Sequence, residues 1–147
     1  VPMKDEKCAY CMAWDDPSLM DAYGIPLAEL ENSNLILFKE QSHPGRVIVA
    51  AKQHVDDISD LTEDEALAYM ADVRRVAAAL HKAFAPQKIN FGAYGDLMHH
   101  LHFHLVPKYE NDEYEWGDVF AMNPGRVALT PEECDELGKK ILAALED

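Results

Sequence analysis

The chain has 147 residues, of which 48% are hydrophobic and 27% are charged. This length and balance fit one globular domain over residues 1–147 with its own core, and they exclude a chain that is disordered throughout. The 13 basic against 27 acidic residues give a net charge of −14, which argues against a general DNA or RNA binder. No apolar run approaches the about 18 residues that span a bilayer, so no membrane partner is expected.

The three cysteines are Cys8, Cys11 and Cys134. An odd count argues against a disulfide framework and favours the reducing cytoplasm. Cys134 falls in a helical pattern and is interpreted as a small packing residue. The spacing of Cys8 and Cys11 leaves three interpretations open: a redox pair, half of a zinc site, or no function.

Four short segments rich in apolar residues are typical of strands, and they lie at 34–38, 46–50, 88–92 and 101–106. Two helices complete the pattern. The order strand, strand, helix, strand, strand, helix does not alternate as a doubly wound parallel fold would. It indicates the α+β class with a mostly antiparallel sheet.

Capping signals define the two helices. Thr62 and Glu65 form a capping box at the start of a long helix predicted over 62–84. Pro131 at a first helical position begins a second helix, predicted at about 131–146. An apolar stripe at spacings of three and four is expected to face the core. Its members on the long helix are Leu67, Met70, Val73, Ala77, Leu80 and Phe84.

Four of the seven histidines lie within the six residues 99–104. Because side chains alternate along a strand, His100, His102 and His104 would share one face, and the apolar residues between them would face the core. Imidazoles in a row are poor core material, since each needs hydrogen-bond partners. The row suits either a metal site or nucleophilic catalysis on phosphorus.

The segment 100–106 reads His-φ-His-φ-His-φ-φ, with φ apolar, and resembles the signature of the histidine triad (HIT) superfamily of nucleotide hydrolases and transferases. Residues 45–54 are similar to the family's strand ending in Lys-x-His, and 61–65 to the start of its long helix. The resemblance covers roughly residues 5–120. It implies an antiparallel sheet of about five strands with the long helix packed on it, and the C-terminal helix predicted from the capping pattern lies beyond the region of resemblance.

The resemblance also implies a mechanism centred on His102. This residue would attack the α-phosphorus of a purine nucleotide, such as a nucleoside phosphoramidate or dinucleoside polyphosphate, and water would hydrolyse the nucleotidyl-histidine. His100 and His104 complete the implied catalytic set. The implied nucleotide- and phosphate-binding residues are Asn90, Gly95, Asp96, Leu97, His104 and Trp116.

Leu97 departs from the family pattern, because many members carry Ser or Thr five residues before the nucleophile. The leaving group therefore stays open. Two rival functions also stay open: a noncatalytic nucleotide- or partner-binding HIT module, which Leu97 favours, and a zinc hydrolase that uses the strand histidines. For the zinc hydrolase, no obvious carboxylate base lies near the histidines in the sequence.

Bacterial members that resemble this chain often carry a Cys-x-x-Cys. The resemblance thus implies a structural zinc ion, which would hold the N-terminal segment over the sheet. The implied ligands are Cys8, Cys11, His54 and His100, with His43 or His99 as alternatives.

The family usually forms homodimers by joining sheets, and the resemblance implies the same here. Residues after the triad often reach the partner's active site. Trp116, beyond the acidic segment 110–115, would either pack on its own subunit or border the nucleotide pocket across the dimer. The acidic segment itself is expected to be a solvated loop or a lid.

Overall fold

A computed structural model describes residues 4–146 and shows one five-stranded antiparallel sheet with the strand order β1-β2-β3-β5-β4. The α+β class and the five-stranded sheet with two helices are confirmed. The strands are β1 (Gly24–Glu29), β2 (Ser33–Phe38), β3 (Val47–Ala51), β4 (Lys88–Gly92) and β5 (His102–Lys108), and the helices are α1 (Glu63–Phe84) and α2 (Pro131–Glu146).

Helix α1 begins and ends as its flanking residues dictate. The Thr62 hydroxyl accepts from the Glu65 N–H, and the Glu65 carboxylate accepts from the Thr62 N–H. At the other end Ala85 adopts a left-handed conformation with φ 49° and closes the last turn on the His81 carbonyl. In the described part of the chain, neither α1 nor any other helix is long and apolar enough to cross a membrane.

The predicted apolar stripe of α1 is wrong at its N-terminal end. Leu67 is 62% exposed and Met70 is 36% exposed. The buried face runs instead through Tyr69, Val73 and Val76 towards Leu80. Leu67 lies about 200° around the helix from Tyr69, because successive residues rotate by roughly 100°.

The two faces of β5 contact different parts of the molecule. Leu101, just before the strand, and Leu105 join the main core formed with α1 and α2, and Phe103 packs partly buried against it. The histidine face is also covered, because His102 is 6% and His104 3% exposed. The N-terminal segment lies over that side and contributes a second apolar cluster.

A tight turn sets the start of β3 beside the histidines. Gly45 has φ +96°, a conformation that favours glycine. A Cβ at this position would come within 2.8 Å of the Phe84 ring. Beyond the turn, β3 pairs antiparallel with β5 so that Ile48 lies opposite His104. Strand β5 therefore lies between β3 and β4, and His104 has Ile48 and Gly92 as its neighbours on the two adjacent strands.

Candidate active site and metal centre

A cavity of about 460 Å³ opens over the histidine face of the sheet. His102 and His104 form its polar floor, and Tyr10 from the N-terminal segment lines one wall. The loop after β4 lines the mouth, where Leu97 is 93% exposed. Of the predicted phosphate-binding residues, the structure places Gly95, Asp96, Leu97 and His104 at this cavity.

His102 is held in one tautomer by the backbone. Its Nδ1 lies 2.6 Å from the His100 carbonyl oxygen, and because a carbonyl can only accept, Nδ1 carries the proton. The Nε2 lone pair is then free. The Tyr10 ring packs against the imidazole with centroids 4.6 Å apart. Burial lowers the pKa of His102, so the ring is neutral near pH 7 and its Nε2 can act as a nucleophile.

His104 is held in the opposite tautomer. Arg46 Nη2 donates to its Nδ1 at 3.2 Å, because a guanidinium cannot accept. The proton of the neutral ring therefore sits on Nε2. Burial, followed by the Arg46 charge, lowers the pKa of His104 to about 3. His104 is thus a neutral hydrogen-bond donor, and its ring centroid lies 5.5 Å from that of His102.

The pKa of His104 predicts a pH-dependent stability. The unfolded ring titrates near ~6.5, so below that pH protonation favours the unfolded chain, and the stabilisation is lost as the pH falls towards 3. We expect His104 to lower the free energy of unfolding by about 1.2 kcal/mol between pH 6 and 5. Urea denaturation of wild type and His104→Gln measures this. The variant should show a slope shallower by that amount, and equal slopes would contradict the assignment.

Four side chains of the predicted zinc site converge beside the triad. The ligand atoms of Cys8, Cys11, His54 and His100 all lie within 4.8 Å of one another. Cys11 Sγ is 3.1 Å from His54 Nδ1, and Cys8 Sγ is 3.3 Å from His100 Nδ1. A tetrahedral zinc ion with bonds of about 2.0–2.3 Å separates its ligand atoms by roughly 3.3–3.8 Å, so this donor set fits zinc.

His100 is oriented for a metal rather than for the cavity. Its Nε2 donates to the Ala51 carbonyl at 2.6 Å, which leaves the Nδ1 lone pair facing the two cysteines. Burial raises the pKa of Cys11 to about 11, so the thiol stays protonated near pH 7 unless a cation is present. His100 was predicted for both the catalytic set and the metal site. It lies with Cys8, Cys11 and His54 at the candidate zinc site and does not line the cavity.

The two alternative metal ligands lie elsewhere. His43 is bound through Nε2 to the Glu115 carboxylate at 2.6 Å, and His99 is exposed beside Asp56.

The acidic segment 110–115 was expected to be a solvated loop or a lid, and Glu115 corrects the solvated-loop expectation at its own position. Its side chain is only 17% exposed and points inward to His43. Its second carboxylate oxygen accepts from the Ala121 N–H, so it fixes the loop that follows.

Asn90 and Trp116 lie together in a neighbouring cavity of about 630 Å³. Tyr94 lines both cavities. Trp116 is 38% exposed. The structure therefore brings these two predicted residues to each other but not to the floor formed by His102.

Sequence reasoning missed two residues of the site. Tyr10 lies between the paired cysteines, and its contact with His102 was not predicted. Arg46 is fully buried under His104. The available signal was the single arginine that begins the apolar run 46–50. Arginine is almost never fully buried unless it is paired, so an arginine on so apolar a strand indicates a specific partner.

The family follows from a direct match. The family model for the HIT domain matches residues 26–111, which is more than half of the chain. The chain therefore belongs to the histidine triad family.

Two curated relatives and one solved structure illustrate the similarity. The chain is 28% identical over 102 residues to an AP-4-A phosphorylase of Mycobacterium tuberculosis, covering 65% of this chain and 52% of that protein. It is 29% identical over 122 residues to an adenosine 5'-monophosphoramidase of Schizosaccharomyces pombe, covering 80% and 85%. The chain thus spans only about half the length of the phosphorylase. A zinc-bound histidine triad family protein of Mycobacterium smegmatis is 25% identical, with a TM-score of 0.67 and coverage of 95% and 93%.

Proposed function

We propose that this protein is a nucleotide hydrolase that acts at an α-phosphate through a nucleotidyl-histidine on His102. The observation that carries the proposal is the bond from His102 Nδ1 to the His100 carbonyl, which leaves Nε2 unprotonated at the cavity floor. Membership of the family and relatives named for phosphoramidate and AP-4-A chemistry support a purine nucleotide substrate.

The residues of the cavity divide the reaction between them. His102 Nε2 attacks the α-phosphorus, so an N–P bond forms and the bond to the leaving group breaks. The Nε2–H of His104 and the N–H groups of residues 95–97 donate to the phosphoryl oxygens as charge builds on them. Water then attacks the same phosphorus, the N–P bond breaks and returns its electron pair to His102 Nε2, and the nucleotide leaves with the oxygen of the water while the released proton passes to solvent.

The candidate zinc site would stabilise the active site. Cys8, Cys11, His54 and His100 would hold a zinc ion, which cross-links the N-terminal segment to the sheet. Tyr10 lies between the two cysteines, so the cross-link keeps its ring against His102. The alternative of a zinc hydrolase loses support, because His104 carries its proton on Nε2 and His100 faces the cysteines, which leaves His102 Nε2 as the one free imidazole nitrogen among the three.

Leu97 favours leaving groups that depart as anions. It has no proton to give, and its side chain is almost wholly exposed at the cavity mouth. An amine leaving group needs a proton, whereas a polyphosphate does not. We therefore expect dinucleoside polyphosphates to be cleaved faster than nucleoside phosphoramidates, and Leu97→Ser to raise phosphoramidate turnover about tenfold or more. Steady-state rates on a matched substrate panel measure this.

The same substrate panel distinguishes the remaining candidate functions. Leu97→Ala is the matched control, and it should leave the preference unchanged because it adds no hydroxyl. Trp116→Ala should change leaving-group preference if Trp116 borders the leaving group, in this subunit or across a homodimer. Binding of nucleotides with no turnover of any panel member would support the noncatalytic binding module, which Leu97 also favours, and would refute the hydrolase.

A further inference from the structure

Arg46 is a buried cation beneath the candidate active site. Its residue exposure is 0%, and its guanidinium lies between the rings of Phe38 and Phe120, 4.1 and 4.9 Å from their centroids. Nη1 donates to the Ala121 carbonyl at 3.0 Å, and Nη2 donates to His104 Nδ1. The guanidinium thus reaches the cavity floor only through His104.

No carboxylate among residues 4–146 forms an ion pair in contact with Arg46, and Glu40 and Glu115 act on its charge only through space. Its polar partners there are a carbonyl oxygen, an imidazole nitrogen and, at 3.7 Å, the Met122 sulfur. The Nε atom is buried without any hydrogen-bond partner. Burying an arginine without a direct ion pair is costly, so the free protein holds a positive charge behind its reaction cavity that Glu40 and Glu115 compensate only from a distance.

We propose that Arg46 is a positioning residue that fixes the His104 tautomer and selects an anionic phosphoryl group at the cavity floor. By occupying Nδ1, the guanidinium keeps the His104 proton on Nε2, the ring nitrogen left for the cavity. An anion bound at that proton would lie one imidazole ring away from the buried charge and would add a negative charge closer than Glu40 and Glu115 provide through space. The identity of the anion as a nucleotide phosphate rests on the proposed function.

The tautomer can be measured without any variant or substrate. In wild-type protein at pH 7, long-range ¹H–¹⁵N correlation spectra of labelled histidines should show His104 with a protonated Nε2 and a bare Nδ1. His102 serves as the internal contrast, since its tautomer should be the reverse. A protonated Nδ1 on His104 would overturn the proposal whether or not the protein hydrolyses nucleotides.

The selection of an anion is tested with a charged and a neutral ligand. Calorimetry compares AMP with adenosine in wild type, Arg46→Met and Arg46→Lys. Arg46→Met should weaken AMP binding roughly tenfold or more while adenosine binding stays within about twofold. Arg46→Lys keeps the charge and should restore part of the difference. Arg74→Met, at an exposed site on α1, is the control for loss of one positive charge.

Kinetics add a readout that a purely structural residue would not give. Arg46→Met should lower kcat roughly 10²-fold with a smaller change in KM, because the donor acts most strongly on the charge of the transition state. If AMP and adenosine affinities fall equally, or if Arg46→Met keeps the wild-type tautomer and AMP affinity, Arg46 has only a structural role. Should Arg46→Met not fold, the Arg46→Lys affinities and the wild-type tautomer decide.

The role of Arg46 and the covalent mechanism at His102 can be refuted independently of each other. The His104 tautomer and the preference for AMP over adenosine are equilibrium properties of the free and ligand-bound protein. A confirmed tautomer and preference, together with a fully active His102→Ala enzyme, would leave Arg46 as an anion-selecting residue and would refute the covalent mechanism alone.

Discussion

His102→Ala should lower turnover of a good nucleotide substrate by roughly 10⁴-fold, because no other group at the cavity floor can take over a covalent step. His104 cannot replace it, since its Nδ1 is bound to Arg46 and its Nε2 carries a proton. The measurement is kcat/KM with the panel member that wild type cleaves fastest. Binding of AMP should remain within about tenfold of wild type, because the variant loses the attack and keeps the His104 donor.

The matched control for this variant is His99→Ala. His99 belongs to the same histidine run but is exposed and points to Asp56 on the surface. It should keep near wild-type turnover. A His102→Ala enzyme with a rate comparable to that of His99→Ala would show that the nucleophile is wrongly assigned.

Cys8→Ala should fail to bind zinc and should lose much of the stability of the N-terminal segment. A metal that binds only the folded chain stabilises it by about 4 kcal/mol when present at 1,000 times its dissociation constant. Removing one thiolate forfeits most of that gain and releases Tyr10 from His102. Elemental analysis after zinc supplementation should give one zinc per wild-type chain and none for Cys8→Ala. Chelators should lower the Tm of wild type only.

Cys134→Ala is the control for the loss of a cysteine. Cys134 is buried in α2 as part of the main core, so its replacement creates a small cavity but should leave the zinc content at one per chain. The metal site would be refuted if wild-type protein takes up no zinc, or if chelators leave its Tm unchanged. Zinc retained in Cys8→Ala would assign the ion to other ligands.

The parts of the fold that follow local rules were predictable from the sequence. The capping box at Thr62 and the alternation along the triad strand both depend on residues a few positions apart. Strand β1 was missed because Pro26 interrupts its pattern and proline is confined to edge strands and bulges. The structure has β1 at a sheet edge with an irregular register next to Pro26.

The candidate site was predictable in its residues but not in its chemistry. The histidine row and the cysteine pair are visible in the sequence. The tautomers of His100, His102 and His104 are not, because they are set by two backbone carbonyls and by Arg46, which is far away along the chain. The mis-assigned exposure of Leu67 has a similar origin, since only tertiary packing decides which side of a long helix is covered.

The covalent nucleotidyl-histidine is tested most directly by the mass of the protein during turnover. Wild-type enzyme mixed with a dinucleoside polyphosphate and quenched in the steady state should gain the mass of one nucleotidyl group. Peptide mapping should place that group on His102, and His102→Ala should show none. Rapid turnover with an unmodified wild-type protein at every quench time, or an adduct at another residue, would contradict the account.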